Sequence, residues 1–449
     1  MTLEPFTRPA LARVPLGGRA RPAPLEEDAS AAAPRALRME ANSLALIATK
    51  VVTLGLGFLF WLVAARLFRP DQVGLAGGVV SAVMLCVQLA LLGIGSAVIA
   101  MYPAHRERPG RLLDTALTGA TLTGAVVGLA FAAVAAAAFA ELRVVGVQPG
   151  WLALFVAMSA LGTVGVVLDQ VSTTLRRGDQ ALWRGALNGA LSLVAVGALS
   201  VVPGSGSMAL FACWVAGVAA ACALGAVQLR SALRRYRFRP RIDRSLLRRL
   251  VAVGLPNHAL TLADRAPGLL LPVLVTELLS PAANAYWYAV WMMAWVVFVI
   301  PVQVGMTLFA EATHRPEAID RLVRHAIRWS LGVGLAAAIA VAAAGSFVLS
   351  LLGARYAAAG AEPLRVLVWG LVPMAFVQAY YARCRAAARL GEAIATAVVA
   401  GTATVAAAIA AGVASGLSAM ALGWVAVQAL AGLWAGMRLR TLARARAAA

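Results

Sequence analysis

Twelve apolar runs, each long enough to cross a bilayer, constrain this 449-residue chain more than any other feature. They centre on residues 44–65, 73–101, 115–140, 151–172, 181–202, 207–229, 250–277, 282–310, 326–352, 362–382, 392–412 and 417–437. A hydrocarbon core roughly 30 Å thick takes about 20 residues of helix, and every backbone group inside it needs an internal partner. The runs therefore predict an all-α polytopic membrane protein with about twelve transmembrane helices. With 61% apolar and only 13% charged residues, the chain could not face water over its whole surface. The second, seventh and eighth runs are long and are expected to tilt, kink or extend past the hydrocarbon.

Net charge +20 in a soluble protein would point to nucleic acid, so the location of the charge decides its meaning. Loops retained in the cytoplasm keep Lys and Arg. Both tails and the loops after spans 2, 4, 6, 8 and 10 hold about 32 of the 39 basic residues, whereas the opposite side holds Arg66, Arg69, Arg143, Arg355 and Arg365. This split supports the span count, places both termini in the cytoplasm and removes any need for a nucleic-acid partner. Residues 1–42 carry six Arg, six Pro and the acidic run Glu26-Glu27-Asp28, without a signal-length apolar stretch, and read as a disordered cytoplasmic tail.

The densest basic segment, residues 230–249, has nine Arg and one acid, Asp243, and divides the chain into two lobes of six helices, 43–229 and 250–437. Residues 438–449 form a second basic tail. Aligning span 1 with span 7 places Leu67-Phe68-Arg69-Pro70 over Leu278-Leu279-Ser280-Pro281. Six helices per half give parallel repeats about an axis along the membrane normal, with a cleft between them. The linker itself reads as an anchor on anionic lipid or as a docking site for a partner enzyme.

Ionisable groups inside the spans are costly and mark function or pairing. Lys50 in span 1 either faces a cavity or snorkels to the interface. Span 7 carries Asn257, His258, Asp264 and Arg265 among Pro256, Pro267 and Pro272, so it is expected to bend or break. Asn257 and Asp264 share one face of that helix, while His258 and Arg265 share another about 100° round. Lys50 and Arg265 fall at similar depths in the two halves, where a guanidinium fork and an ammonium could hold phosphate oxygens. The alternative is an ion pair of Arg265 with Asp264 or Asp169. Asp169 reads as an interfacial cap, a helix-pairing acid or an ion-coupling acid, and His258 as a proton carrier or a backbone contact. Trp291 and Trp295 either stack on sugar or extend the interfacial aromatic belt. Glu277 reads as solvated. Cys86, Cys213, Cys222 and Cys384 read as small core residues, and neither metal nor cofactor is expected.

Three passages resemble the polysaccharide-transporter and O-antigen flippase branch of the multidrug/oligosaccharidyl-lipid/polysaccharide (MOP) exporter superfamily. The first is Ala64-Ala65-Arg66-Leu67-Phe68-Arg69-Pro70-Asp71-Gln72-Val73-Gly74-Leu75, followed by Leu92-Gly93-Ile94-Gly95-Ser96-Ala97. The second is Gly254-Leu255-Pro256 with Asp264-Arg265, and the third is Leu351-Leu352-Gly353-Ala354-Arg355-Tyr356-Ala357 ahead of Leu364-Arg365-Val366-Leu367. The resemblance covers about residues 42–437 and implies a MATE-like architecture, alternating access and a cationic cavity for a polyprenyl-pyrophosphate saccharide. Arg265 and Asp264 are the positions it marks. The Ala- and Arg-rich composition and the long tail depart from the pattern.

The expected function is a flippase for lipid-linked saccharide in a bacterial cytoplasmic membrane, with membrane lipids and polysaccharide polymerase or glycosyltransferases as further partners. A drug or organic-cation antiporter would need cavity acids, yet span 1 offers Lys50 and no carboxylate. A membrane-embedded assembly enzyme would need a sizeable outer loop, whereas the turns here are as short as Pro203-Gly204-Ser205-Gly206.

Overall fold

A computed structural model of the chain describes residues 55–233 and 236–447. Lys50 lies outside the described residues, as do the whole N-terminal tail and the first part of span 1. Among the described residues the chain is almost wholly helical. The first span contributes α1 (Gly55–Leu67). It is followed by α2 (Pro70–Ala90), α3 (Ile94–Met101), α4 (Gly110–Ala138), the single turn α5 (Val144–Val147), α6 (Pro149–Thr174), α7 (Gly178–Ala198) and α8 (Ser207–Ala232). After the linker come α9 (Arg244–Leu278), α10 (Pro281–His314), α11 (Ile319–Leu352), α12 (Ala354–Leu367), α13 (Leu371–Ala386) and α14 (Leu390–Ala447).

These elements make up the twelve spans. α2 with α3 forms span 2, and α12 with α13 forms span 10. The 58-residue α14 is two spans, because Ser415 (φ −146°) and the left-handed Gly416 (φ 80°) fold it back on itself. The long second run resolves its length by kinking: Leu92 and Gly93 both have positive φ, 45° and 77°, and α3 starts afresh at Ile94. The seventh and eighth runs resolve theirs by extension. At about 1.5 Å per residue, the 35 residues of α9 and 34 of α10 outrun the hydrocarbon core. The expected break in α9 does not occur, since Pro256, Pro267 and Pro272 all lie inside one helix. Each proline leaves only one carbonyl without its helical donor. The carbonyl freed by Pro267, that of Ala263, packs against Gly401 of α14.

Two lobes follow from the packing. α4, α6 and α8 associate with α2, α7 packs on α8 and α6, and α11 to α14 associate with α9 and α10. The main contacts between lobes run from α2, α3 and α4 to α9 and α10. α2 is the central helix, with 78% of its apolar window buried against 17–39% for the other spans except span 10. Close approach along this seam depends on glycine. A Cβ on Gly74 would stand 1.6 Å from the Pro281 oxygen, and one on Gly254 would stand 1.9 Å from the Gly93 oxygen. We refer to the side of the basic loops as the basic face and the other as the far face.

Candidate functional site

On α9 the residues Gly254, His258, Arg265, Pro272 and Thr276 recur at steps of seven, four or eleven, which keeps them on roughly one face of a 3.6-residue helix. That face meets the opposite lobe. Gly254 abuts Gly93, the His258 Nε2 lies 2.7 Å from the Gln88 carbonyl, and Thr276 packs under Gly78. Arg265 sits between these contacts. It is nevertheless exposed, and it has neither hydrogen bond nor ion pair among the described residues. The guanidinium therefore remains accessible on that face.

Asp264, one residue earlier, points about 100° away and into its own lobe. Its two carboxyl oxygens accept hydrogen bonds from Gln378 Nε2 of α13 at 3.0 and 3.1 Å. One α-helical turn toward the basic face, Thr261 Oγ1 accepts from Arg385 at 3.1 Å, and another Arg385 nitrogen approaches the Met306 sulfur at 3.4 Å. Arg385 Nε is buried without a partner, as is Asn257 Oδ1. Two guanidiniums, Arg265 and Arg385, thus flank a single carboxyl that is hydrogen-bonded by a neutral amide. Such a site has spare donor capacity for an oxyanion, because arginine presents five N–H groups and the acid offsets only one positive charge.

The alternative ion pairs for Arg265 are not formed. Asp169 binds Arg184 of α7 at 2.7 Å, and Arg184 also donates to Gln228 of α8 (2.6 Å) and Ser172 (2.9 Å). This arrangement clamps α6, α7 and α8 together, and it engages Asp169 within the first lobe. His258 contacts the Gln88 backbone across the seam. Trp291 is enclosed by Trp287, Phe298 and Trp424 at ring distances of 5.8–6.2 Å, and Trp295 is half-buried against the same core. Both rings are engaged in packing the second lobe. Glu277, expected to be solvated, instead accepts hydrogen bonds from three backbone amides at residues 140–142.

Sequence reading missed Arg385, Gln378 and Thr261. In the sequence Arg385 reads as a charge of the basic loop after span 10, whereas it lies in the last turn of α13 with its side chain turned toward α9. A Gln at position 378 within an apolar run was the available signal.

The profile of the family described as polysaccharide biosynthesis protein matches residues 39–312. No curated protein matches the chain. Several solved structures share the fold. An inward-facing multidrug resistance MATE family transporter of the MOP superfamily superposes with TM-score 0.65 at 15% identity, covering 89% of this chain and 99% of its own. An outward-facing structure of such a transporter gives 0.62 at 16% identity, covering 91% and 96%. A MOP superfamily transporter from Pyrococcus furiosus, described as having a binding pocket of reverse polarity that suggests a different function, gives 0.62 at 17% identity, covering 90% and 96%. With its family profile matching more than half of the chain, this multi-pass membrane protein belongs to the polysaccharide biosynthesis protein family and is built on the fold of MOP superfamily transporters.

Proposed function

We propose that the protein is a flippase that carries a polyprenyl-pyrophosphate-linked saccharide across a bacterial cytoplasmic membrane, its two lobes rocking about the seam. One observation carries this reading: Arg265 is exposed on the lobe-facing side of α9, a face on which Gly254, Pro272 and Thr276 are buried, with Arg385 behind it and only Asp264 to offset the pair. A cation in the bilayer persists where water or a counter-ion meets it. The pyrophosphate of a lipid carrier is such a counter-ion, and a guanidinium fork binds it at two points. Lys50 of the first lobe is proposed as the opposing cation. On the positive-inside rule the basic face is cytoplasmic, so both termini and the linker lie on the side where the substrate is loaded. The chemistry is transport without bond making or breaking.

The test is the amount of lipid-linked saccharide on the inner leaflet of a deletion strain complemented by wild type, Arg265→Ala or Lys50→Ala at matched membrane levels. Accumulation cured by wild type and by neither variant is the expected result. Unchanged lipid-linked saccharide with altered sensitivity to cationic drugs would reject the flippase in favour of an antiporter, for which Asp264 would supply the anionic site.

A further inference from the structure

Two charged residues at the far face occupy equivalent places in the two repeats. With Pro70 over Pro281, both at the first position of their helices, Arg66 falls over Glu277 and residues 140–142 fall over 351–353. Each charged side chain crosses to the other lobe and meets that equivalent stretch. Arg66 Nε donates to the Leu351 carbonyl at 2.6 Å, with a longer contact of 3.4 Å to Ser350. Glu277 accepts from the backbone N–H groups of Ala140 (2.8 Å), Glu141 (3.2 Å) and Leu142 (2.6 Å).

The charges are opposite, and so are the backbone ends they meet. Leu351 and Ser350 lie in the last turn of α11, where unsatisfied carbonyls give partial negative charge, so a guanidinium suits them. Residues 140–142 follow the end of α4 and turn three successive N–H groups outward, a concave donor set that suits a carboxylate. The same pair of positions in a duplicated fold has thus been filled by Arg on one side and Glu on the other, each matched to its target.

We infer that Arg66 and Glu277 are a pair of reciprocal latches that hold the lobes together at the far face, so that release of both is required for far-face opening. The inference rests on the reading that the lobes part there during transport. Backbone atoms are the targets on both sides, so each latch can be broken by changing one side chain without disturbing the helix that receives it. Both side chains lie at the protein surface, and neither belongs to the Arg265 and Asp264 site.

The experiment is a distance measurement between spin labels on Val147→Cys and Phe347→Cys, exposed far-face positions of the two lobes, in full-length protein in lipid with the four native cysteines replaced. It compares the latched background with Arg66→Ala, Glu277→Ala, and the charge-repelling Arg66→Glu and Glu277→Arg. Single removals are expected to raise the ratio of open to closed separations by at least about tenfold, equivalent to about 1.4 kcal/mol, with the repelling variants shifting it further. Two separations in the background that keep the same ratio in every variant would overturn the latches while leaving alternation intact. One unchanging separation in all samples would overturn alternation and the latches together. Gel-filtration behaviour matched to the background qualifies a variant, and the two substitution types at each position give independent routes to a folded one.

Discussion

The buried arginines Arg184 and Arg385, one in each lobe, are accommodated in opposite ways. In the first lobe Arg184, only 6% exposed, spends its donors on Asp169, Ser172 and Gln228, so that three helices share one satisfied network. In the second, Arg385 keeps a buried Nε without a partner, Arg265 faces the seam with none among the described residues, and the nearby carboxyl is held by an amide. Burial of a charge is tolerated in either case, but only for Arg184, as for Arg383 of the second lobe paired with Asp320, is the debt discharged inside the protein. A satisfied arginine maintains the lobe's shape. An unsatisfied one is available to a ligand.

The comparison breaks most visibly at Arg184. Arg184→Leu leaves Gln228 and Ser172 without their charged donor. Loss of one partner of a fully buried pair costs about 3–5 kcal/mol, and because water reaches the half-exposed Asp169 we expect about 2 kcal/mol here. Thermal unfolding in detergent measures it, and an unchanged unfolding temperature would mean the network does not clamp the lobe. Arg265→Ala should do the reverse. Stability stays within about 0.5 kcal/mol, as for an exposed side chain without contacts, while saccharide transport falls at least about tenfold, or about 1.4 kcal/mol. A variant that unfolds early yet transports normally when folded would place Arg265 with Arg184. Gln378→Leu falls between them, because it deprives Asp264 of both hydrogen bonds at a cost of about 1 kcal/mol or more. Restoration by Asp264→Leu in the same chain would show that the cost is the stranded carboxyl and not a cavity.

Much of the frame was legible in the sequence because membrane insertion is governed by local quantities. Run length gave the spans, Arg and Lys placement gave their alternation, and Ser415-Gly416 marked the turn that splits α14. The stripes on α9 were legible as well, since helical periodicity separates Asp264 from Arg265. What each stripe touches depends on which helices pack together across more than a hundred residues, and no local pattern states that. Gln378 and Arg385 became part of the site only when α13 was laid beside α9. Arg184 and Arg385 both read as loop charges in the sequence, because residues near span ends serve topology and packing alike. The partners of Glu277 were not legible for a related reason: they are backbone amides, which leave no trace in residue type.

The linker supplies the smallest test, and it bears on where the moving boundary between the lobes lies. Its described hydrogen bonds go to α4 of the first lobe. Tyr236 donates to Asp114 at 2.7 Å, the Arg239 amide to the same carboxylate at 3.1 Å, and the Asp243 amide to Thr115 at 3.3 Å. Asp243 also pairs with Arg111 and caps α9, so it is where the linker, fastened to the first lobe, passes into the second. The Ser245 hydroxyl and the Leu246 N–H, with Arg111 adding to them, hold its carboxyl well below the usual carboxylate range. A depressed carboxylate gives stability that is complete above the ordinary value of about 3.9 and is lost as pH falls through the folded value. Hydrogen-exchange protection of the Ser245 and Leu246 amides should therefore be independent of this group from pH 8 to 5 and weaken only in strong acid. Asp243→Ala should lower that protection across the range and remove the acid step. If protection instead fell between pH 7 and 5, the fastening would depend on some other group, and the linker would not travel with the first lobe.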